Sequence, residues 1–180
     1  MSSALLVIDM QQGSFTEATP RHDTDGVVHR INQLAAQFRA AQQPVVWIQH
    51  DGSSAGEYVP GTDQWALLPG LKVREGDVHI GKTANDVFYQ SQLKPELDAR
   101  GIRTVYVTGC ATDFCVEASV QSALAKDYEV RVVADGHTTG ERPNLSAEQV
   151  IAHYNWVWQN MLPTKGQVAV VEASAVALEG

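Results

Sequence analysis

The chain has 180 residues, 44% of them hydrophobic, with a formal net charge of -8 and a pI near 5.1. That length and apolar content suffice for one sizeable core and predict a single domain over residues 1–180. The acidic balance, with only 13 scattered Lys and Arg, excludes a nucleic-acid partner; the N-terminal apolar run is too short and lacks the basic flank of a signal peptide or membrane span, so a cytoplasmic protein is expected.

Ala4 to Ile8 is a continuous apolar run ending in Asp9, the pattern of a central parallel strand buried on both faces. Val27, Ile31, Leu34 and Phe38 recur at helical offsets between Thr24 and Ala41, with Thr24 or Asp25 as the expected cap. A second strand, Val45 to Gln49, follows Pro44 and leads to His50-Asp51-Gly52. Residues 51 to 77 show little periodicity. A connection that long in a compact domain is expected to be a lid or pocket wall, anchored by Tyr58, Trp65 and Leu67. Next come a short strand from Asp77 to Lys82, a helix from Ser91 to Arg100 stopped by Gly101, and a strand from Thr104 to Thr108. An amphipathic run from Phe114 to Lys126 carries Val116, Val120 and Leu124 on one face, and a further strand runs from Glu129 to Ala134. The capping-box pattern Ser146-x-x-Gln149 opens a helix with Ile151, Tyr154, Trp158 and Met161 on one side, and Gln167 to Val171 is the last strand.

This alternation predicts a three-layer, Rossmann-like α/β fold with a six-stranded, mostly parallel sheet in the order 3-2-1-4-5-6. Right-handed crossovers put the first strand beside the 104–108 strand, and ligands in such sheets bind beyond the carboxyl ends of the strands, so Asp9 and Cys115 are expected to face each other. The first strand leads into Asp-Met-Gln-Gln-Gly rather than a G-x-G-x-x-G turn, which excludes a dinucleotide cradle.

Gly109-Cys110-Ala111-Thr112-Asp113-Phe114-Cys115-Val116 joins a strand directly to a helix. Cys115 is expected to be the first helical side chain, where the partial positive charge favours a thiolate and free N–H groups could hold an oxyanion. The C-x4-C spacing with Cys110 matches neither a zinc knuckle nor a redox pair, and Cys110 reads as a packing residue. A thiol nucleophile needs a base and a nearby cation, and Asp9 and Lys82 are the candidates.

At this point the chain resembles the isochorismatase-like cysteine hydrolases, whose relatives include nicotinamidases and carbamoylases. The matching segments are Leu6 to Gln11, Gly81-Lys82 with Asp86-Val87-Phe88, Gly109 to Val116, and Val133 to Thr139. The resemblance implies a catalytic Asp9-Lys82-Cys115 triad and a thioester intermediate on the cysteine. It also implies a non-proline cis peptide before Ala111, and an oxyanion hole formed by the N–H groups of Ala111 and Cys115. Nicotinamidases hold a metal through an Asp-x-His cluster that Gln49-His50-Asp51-Gly52 lacks, so neither a metal nor another cofactor is expected.

Phe15, Phe88 and Phe114, near strand ends, are expected as pocket walls, with His50 and His137 as further substrate-binding candidates. The implied activity is hydrolysis of a small-molecule C–N bond other than a peptide. Two rivals are vinyl-ether hydrolysis with Asp9 as the acid and a non-catalytic binding protein on the same fold. The resemblance further suggests a homodimer or larger assembly, with Trp156 and Trp158 in an interface or completing the core.

Overall fold

The apolar run at the start of the chain becomes the middle of a sheet because both of its faces are covered. In the computed structural model, which describes residues 2–178, the strands are β1 (Ser3–Ile8), β2 (Val45–His50), β3 (Val78–Lys82), β4 (Thr104–Cys110), β5 (Glu129–Thr138) and β6 (Val168–Val171). The helices are α1 (Thr24–Ala40), α2 (Leu93–Ala99), α3 (Glu117–Ala125) and α4 (Ala147–Asn160). The six strands pair in the order β3-β2-β1-β4-β5-β6, and every neighbouring pair is parallel. The expected order is therefore present, and the sheet is wholly parallel among the described residues.

Successive side chains of β1 go to opposite faces, as the pleat requires. Ala4, Leu6 and Ile8 join the core beneath α2, α3 and α4, which contribute Leu93, Leu97, Val120, Leu124 and Trp158. Leu5 and Val7 face α1, where Val27, Ile31, Leu34 and Phe38 form the stripe read from the periodicity. One helix cannot cover that face alone, and Leu67, Leu68 and Leu71 of the long 51–77 connection pack beside it.

Local chemistry moves several boundaries. The residue preceding α1 is Asp23, in the left-handed region with φ 46°, rather than Thr24 or Asp25, and its carboxylate pairs with Arg30 at 2.5 Å instead of capping the helix. The predicted 91–100 helix begins only at Leu93, while the capping box of Ser146 and Gln149 forms in full. β5 continues to Thr138 rather than stopping at Ala134: its register against β4 jumps from Val107↔Val132 to Gly109↔His137, so the residues between bulge out and the strand resumes beyond them. Trp158 completes the core and donates Nε1–H to Glu117, whereas Trp156 is 64% exposed.

β4 passes β1 so closely at Gly109 that only glycine fits. Its φ is 118°, and a Cβ there would lie 2.1 Å from the Ile8 carbonyl oxygen, immediately before Asp9. Gly109→Ala is expected to destabilise the protein by about 3 kcal/mol or more, because the clash is with backbone that cannot give way. Gly56→Ala, also at positive φ but with nothing within 4 Å, should cost only about 1–2 kcal/mol. Urea unfolding of the two variants checks this difference.

Candidate active site

Three strand ends converge at one point of the sheet. Asp9 directly follows β1 with φ 48°, a left-handed conformation that aspartate tolerates better than most residues. Lys82 is the last residue of β3, and Cys115 lies in a π-helical turn, Thr112–Val116, between β4 and α3. Lys82 Nζ is 2.7 Å from Asp9 Oδ2, 3.5 Å from Cys115 Sγ and 2.9 Å from the Ala84 carbonyl oxygen, so each of its three N–H bonds has an acceptor. Its side chain is fully buried and that of Asp9 nearly so. The other carboxylate oxygen, Asp9 Oδ1, is buried without a donor in hydrogen-bond geometry among the described residues.

The π turn changes what was expected of Cys115. Helical structure begins at Thr112, so the cysteine is its fourth residue rather than the first residue of an α-helix. The Ala111 carbonyl accepts from the N–H groups of Phe114 and Val116, both at 3.1 Å, and bypasses that of Cys115. The Ala111 N–H finds no acceptor among the described residues, and the Cys110–Ala111 peptide bond is cis.

The expectation of a readily ionised thiol is corrected. Burial pushes the Cys115 thiol above its ordinary range, the Asp9 carboxylate adds to this, and Lys82 opposes it. At rest the sulfur keeps its proton, and its S–H donates to Asn85 Oδ1 at 3.5 Å. Cys110 is buried with a thiol raised to about 12 by the same desolvation, as befits a packing residue.

Asp9, Cys115 and Ala111 line a cavity of about 280 Å³ together with His50, Tyr58 and Phe114. The ring of Phe114, 52% exposed, stands at its rim beneath the Arg142 guanidinium. Burial, and next the Lys82 charge, lower the His50 pKa and favour the neutral imidazole. Gln11 fixes this wall: its amide donates to the carbonyls of His50 and Trp65 at 3.0 and 2.9 Å and accepts from the His50 N–H at 2.7 Å.

The structure does not bring Phe15, Phe88 or His137 to this cavity. Phe88 lies in the core stacked on Tyr128, and Phe15 packs against the α1 side of the sheet. His137 is buried because β5 resumes after its bulge. Its Nδ1 accepts from Thr112 Oγ1 at 2.9 Å and its Nε2–H donates to Asn155 Oδ1 at 3.0 Å, the roles being set by Asn155 Nδ2, which donates to the Ala134 carbonyl. It therefore braces the π turn from behind. Conversely, Arg21, Asn85 and Arg142 line the cavity without having been singled out in the sequence. Asn85 sits between two matching segments and could have been found; the arginines stand in loops with no pattern.

With this geometry in place, the comparisons with known proteins carry weight. Residues 3–158 match the family model of the isochorismatase domain. The chain belongs to the isochorismatase family. It is 29% identical over 191 residues to the family protein YecD of Escherichia coli O157:H7, covering 98% of this chain and 96% of that one. To the ureidoacrylate amidohydrolase RutB of Methylorubrum extorquens it is 28% identical over 197 residues, covering 87% of this chain and 79% of the relative. A crystal structure of an isochorismatase family protein superimposes with a TM-score of 0.83 at 28% identity, over 88% of this chain and 93% of the other. The described residues contain no cluster of three or more His, Cys, Asp and Glu placed to hold a metal ion, and no helix long and apolar enough to cross a membrane.

Breaking the Lys82–Asp9 pair should cost more than deleting its charges together. Lys82→Met leaves a buried carboxylate unpaired and is expected to lose about 3–5 kcal/mol, of which Lys82→Met with Asp9→Asn recovers a substantial part, measured by urea unfolding.

His137 supplies a pH test. Burial holds its pKa near 4, against an ordinary 6.5. The unfolded chain takes up a proton below pH 6.5 that the folded chain refuses, so the stability due to neutral His137 is intact above 6.5 and lost as pH falls towards 4. His137→Gln should flatten the stability–pH slope in that window by up to about 1.4 kcal/mol per pH unit; equal slopes for variant and wild type would contradict this.

Proposed function

We propose that this isochorismatase-family chain hydrolyses a small-molecule C–N bond other than a peptide through a thioester on Cys115. The observation that carries the reading is the buried Lys82–Asp9 pair set against the thiol, with one carboxylate oxygen left without a donor and both Asp9 and Cys115 lining a small cavity. The ureidoacrylate amidohydrolase among the relatives is named for chemistry of this kind.

As Sγ bonds to the substrate carbonyl carbon, the thiol proton passes to Asp9 and the carbonyl π electrons move to oxygen. The N–H groups of Ala111 and Cys115 are the donors for that oxyanion. Collapse of the intermediate breaks the C–N bond, and Asp9 returns the proton to the leaving nitrogen. Water then adds to the thioester, giving one proton to Asp9 as before; the C–S bond breaks, the acid leaves, and the proton returns to sulfur. Lys82, hydrogen-bonded to both Asp9 and Cys115, balances the charge that moves between sulfur and carboxylate. Because the resting thiol is neutral, proton transfer accompanies attack.

Assembly as a homodimer or larger oligomer in the cytoplasm belongs to the same reading, and the exposed Trp156 of α4 is a side chain that a subunit contact would cover.

Cys115→Ala should lower kcat by about 10³-fold or more while leaving the fold intact, and Asp9→Asn should lower it as far while also losing part of the stability of the buried pair. Acid-quenched mass spectrometry against a panel of small amides, lactams and ureas should find an acyl adduct on the wild type and none on Cys115→Ala. Full turnover by Cys115→Ala together with a dead Asp9→Ala would instead favour acid catalysis of vinyl-ether cleavage.

A further inference from the structure

The charges around the cavity do not sum to zero. Lys82 is matched by Asp9, and Arg142 is matched by Asp113, with Nε to Oδ2 at 2.6 Å and Nη2 to Oδ1 at 2.9 Å. His50 is held towards its neutral form. That leaves Arg21. Its Nε donates to the Ser14 carbonyl at 2.8 Å, which fixes the plane of the guanidinium, while its two terminal nitrogens find neither a carboxylate nor any other acceptor among the described residues. Asp9, the one acid lining the cavity, is already claimed by Lys82.

Arg21 and Arg142 are also brought together. A Cβ placed on Gly140 would lie 2.8 Å from Arg21 Nη1 and 3.8 Å from Arg142 Nη1, so the two guanidinium groups flank the same point, and the Asp113 carboxylate pairs with Arg142 alone. In a chain of net charge -8, two neighbouring cations of which only Arg142 has a counter-charge are an arrangement that an anion completes, and a guanidinium fork with both terminal nitrogens open matches a carboxylate in bidentate geometry.

We infer that Arg21, steadied by Ser14 and backed by the Arg142–Asp113 pair, is a carboxylate subsite, and that the substrate is a small amide or ureido compound bearing a carboxylate. The inference rests on the reading of this cavity as the site of C–N hydrolysis. It narrows the substrate to an anion, and the volume of about 280 Å³ keeps that anion small, at the lower end of ligand-pocket sizes.

Iodoacetate and iodoacetamide are nearly the same size and differ by one negative charge, so the ratio of their alkylation rates at Cys115 reads the charge preference of the cavity without knowledge of the substrate. The ratio of iodoacetate to iodoacetamide at Cys115 should exceed that of glutathione by about tenfold; Arg21→Gln should lower it by about tenfold, and Arg21→Lys should restore part of it. A ratio equal to that of glutathione, or one that Arg21→Gln leaves unchanged, overturns the subsite. A purely structural role for Arg21 would slow both reagents alike.

The second measurement is calorimetric binding of N-carbamoylglycine to Cys115→Ala, which should weaken about tenfold or more on adding Arg21→Gln. Binding that ignores Arg21, or no binding at all, overturns the subsite even where Cys115 proves to be the nucleophile. A Cys115 inert to both reagents beside Arg21-dependent binding overturns the thioester reading and supports the subsite.

Discussion

The buried ion pair between Lys82 and Asp9 is the constraint on which the rest of the site depends. Lys82 ends β3, Asp9 follows β1, and β2 lies between them. Two strand spacings amount to roughly 9–10 Å, a gap that only a long side chain can bridge. A lysine also brings three N–H donors on a compact charge, and the site presents three acceptors, from Asp9, Ala84 and Cys115. Either charge alone would be costly at that depth; together they hold the β3 edge, the centre of the sheet and the π turn after β4 in fixed relation.

Burial decides the state of the sulfur, and the Asp9 carboxylate of that pair adds to it. A helix N-terminus favours a thiolate by about 0.3–1 kcal/mol. Burial opposes one, the negative charge of the Asp9 carboxylate adds to that, and Lys82, shared between carboxylate and sulfur, offsets only part of it. Burial and the carboxylate win. The site thus holds a neutral thiol beside a carboxylate rather than a stored thiolate.

Where the sequence was informative, the reason was a simple periodicity. β1 shows its double burial as an unbroken apolar run, and α1 shows its single buried face at helical spacing. Asp9, Lys82 and Cys115 could be found because strand ends in a parallel sheet all point to one side. What escaped the reading depends on events that leave no local pattern. The bulge in β5 turns His137 inwards, the π turn shifts Cys115 along its helix, and Phe88, apolar and near a strand end, is as well suited to the core as to a pocket. Arg21 and Arg142 come from separate loops and meet only around Gly140.

The long 51–77 connection was expected to be a lid or wall, and its packing separates two roles along its length. The second half substitutes for a missing helix: Leu67 pairs with Gln11 in an antiparallel bridge, Leu71 is buried against the α1 side of the sheet, and the Trp65 carbonyl accepts from both Gln11 and Gln49. The first half is largely exposed but returns Tyr58 to the cavity, where its ring meets His50 edge-on at 5.9 Å and its hydroxyl lies 3.0 Å from Ser14 Oγ. Ser14 in turn holds Arg21 through its carbonyl. Substitutions in the exposed half can therefore reshape the cavity wall without moving the strand ends that hold Asp9 and Lys82 or the turn that holds Cys115. Such a division leaves the variable part of the cavity wall in loops and the buried ion pair fixed to the sheet.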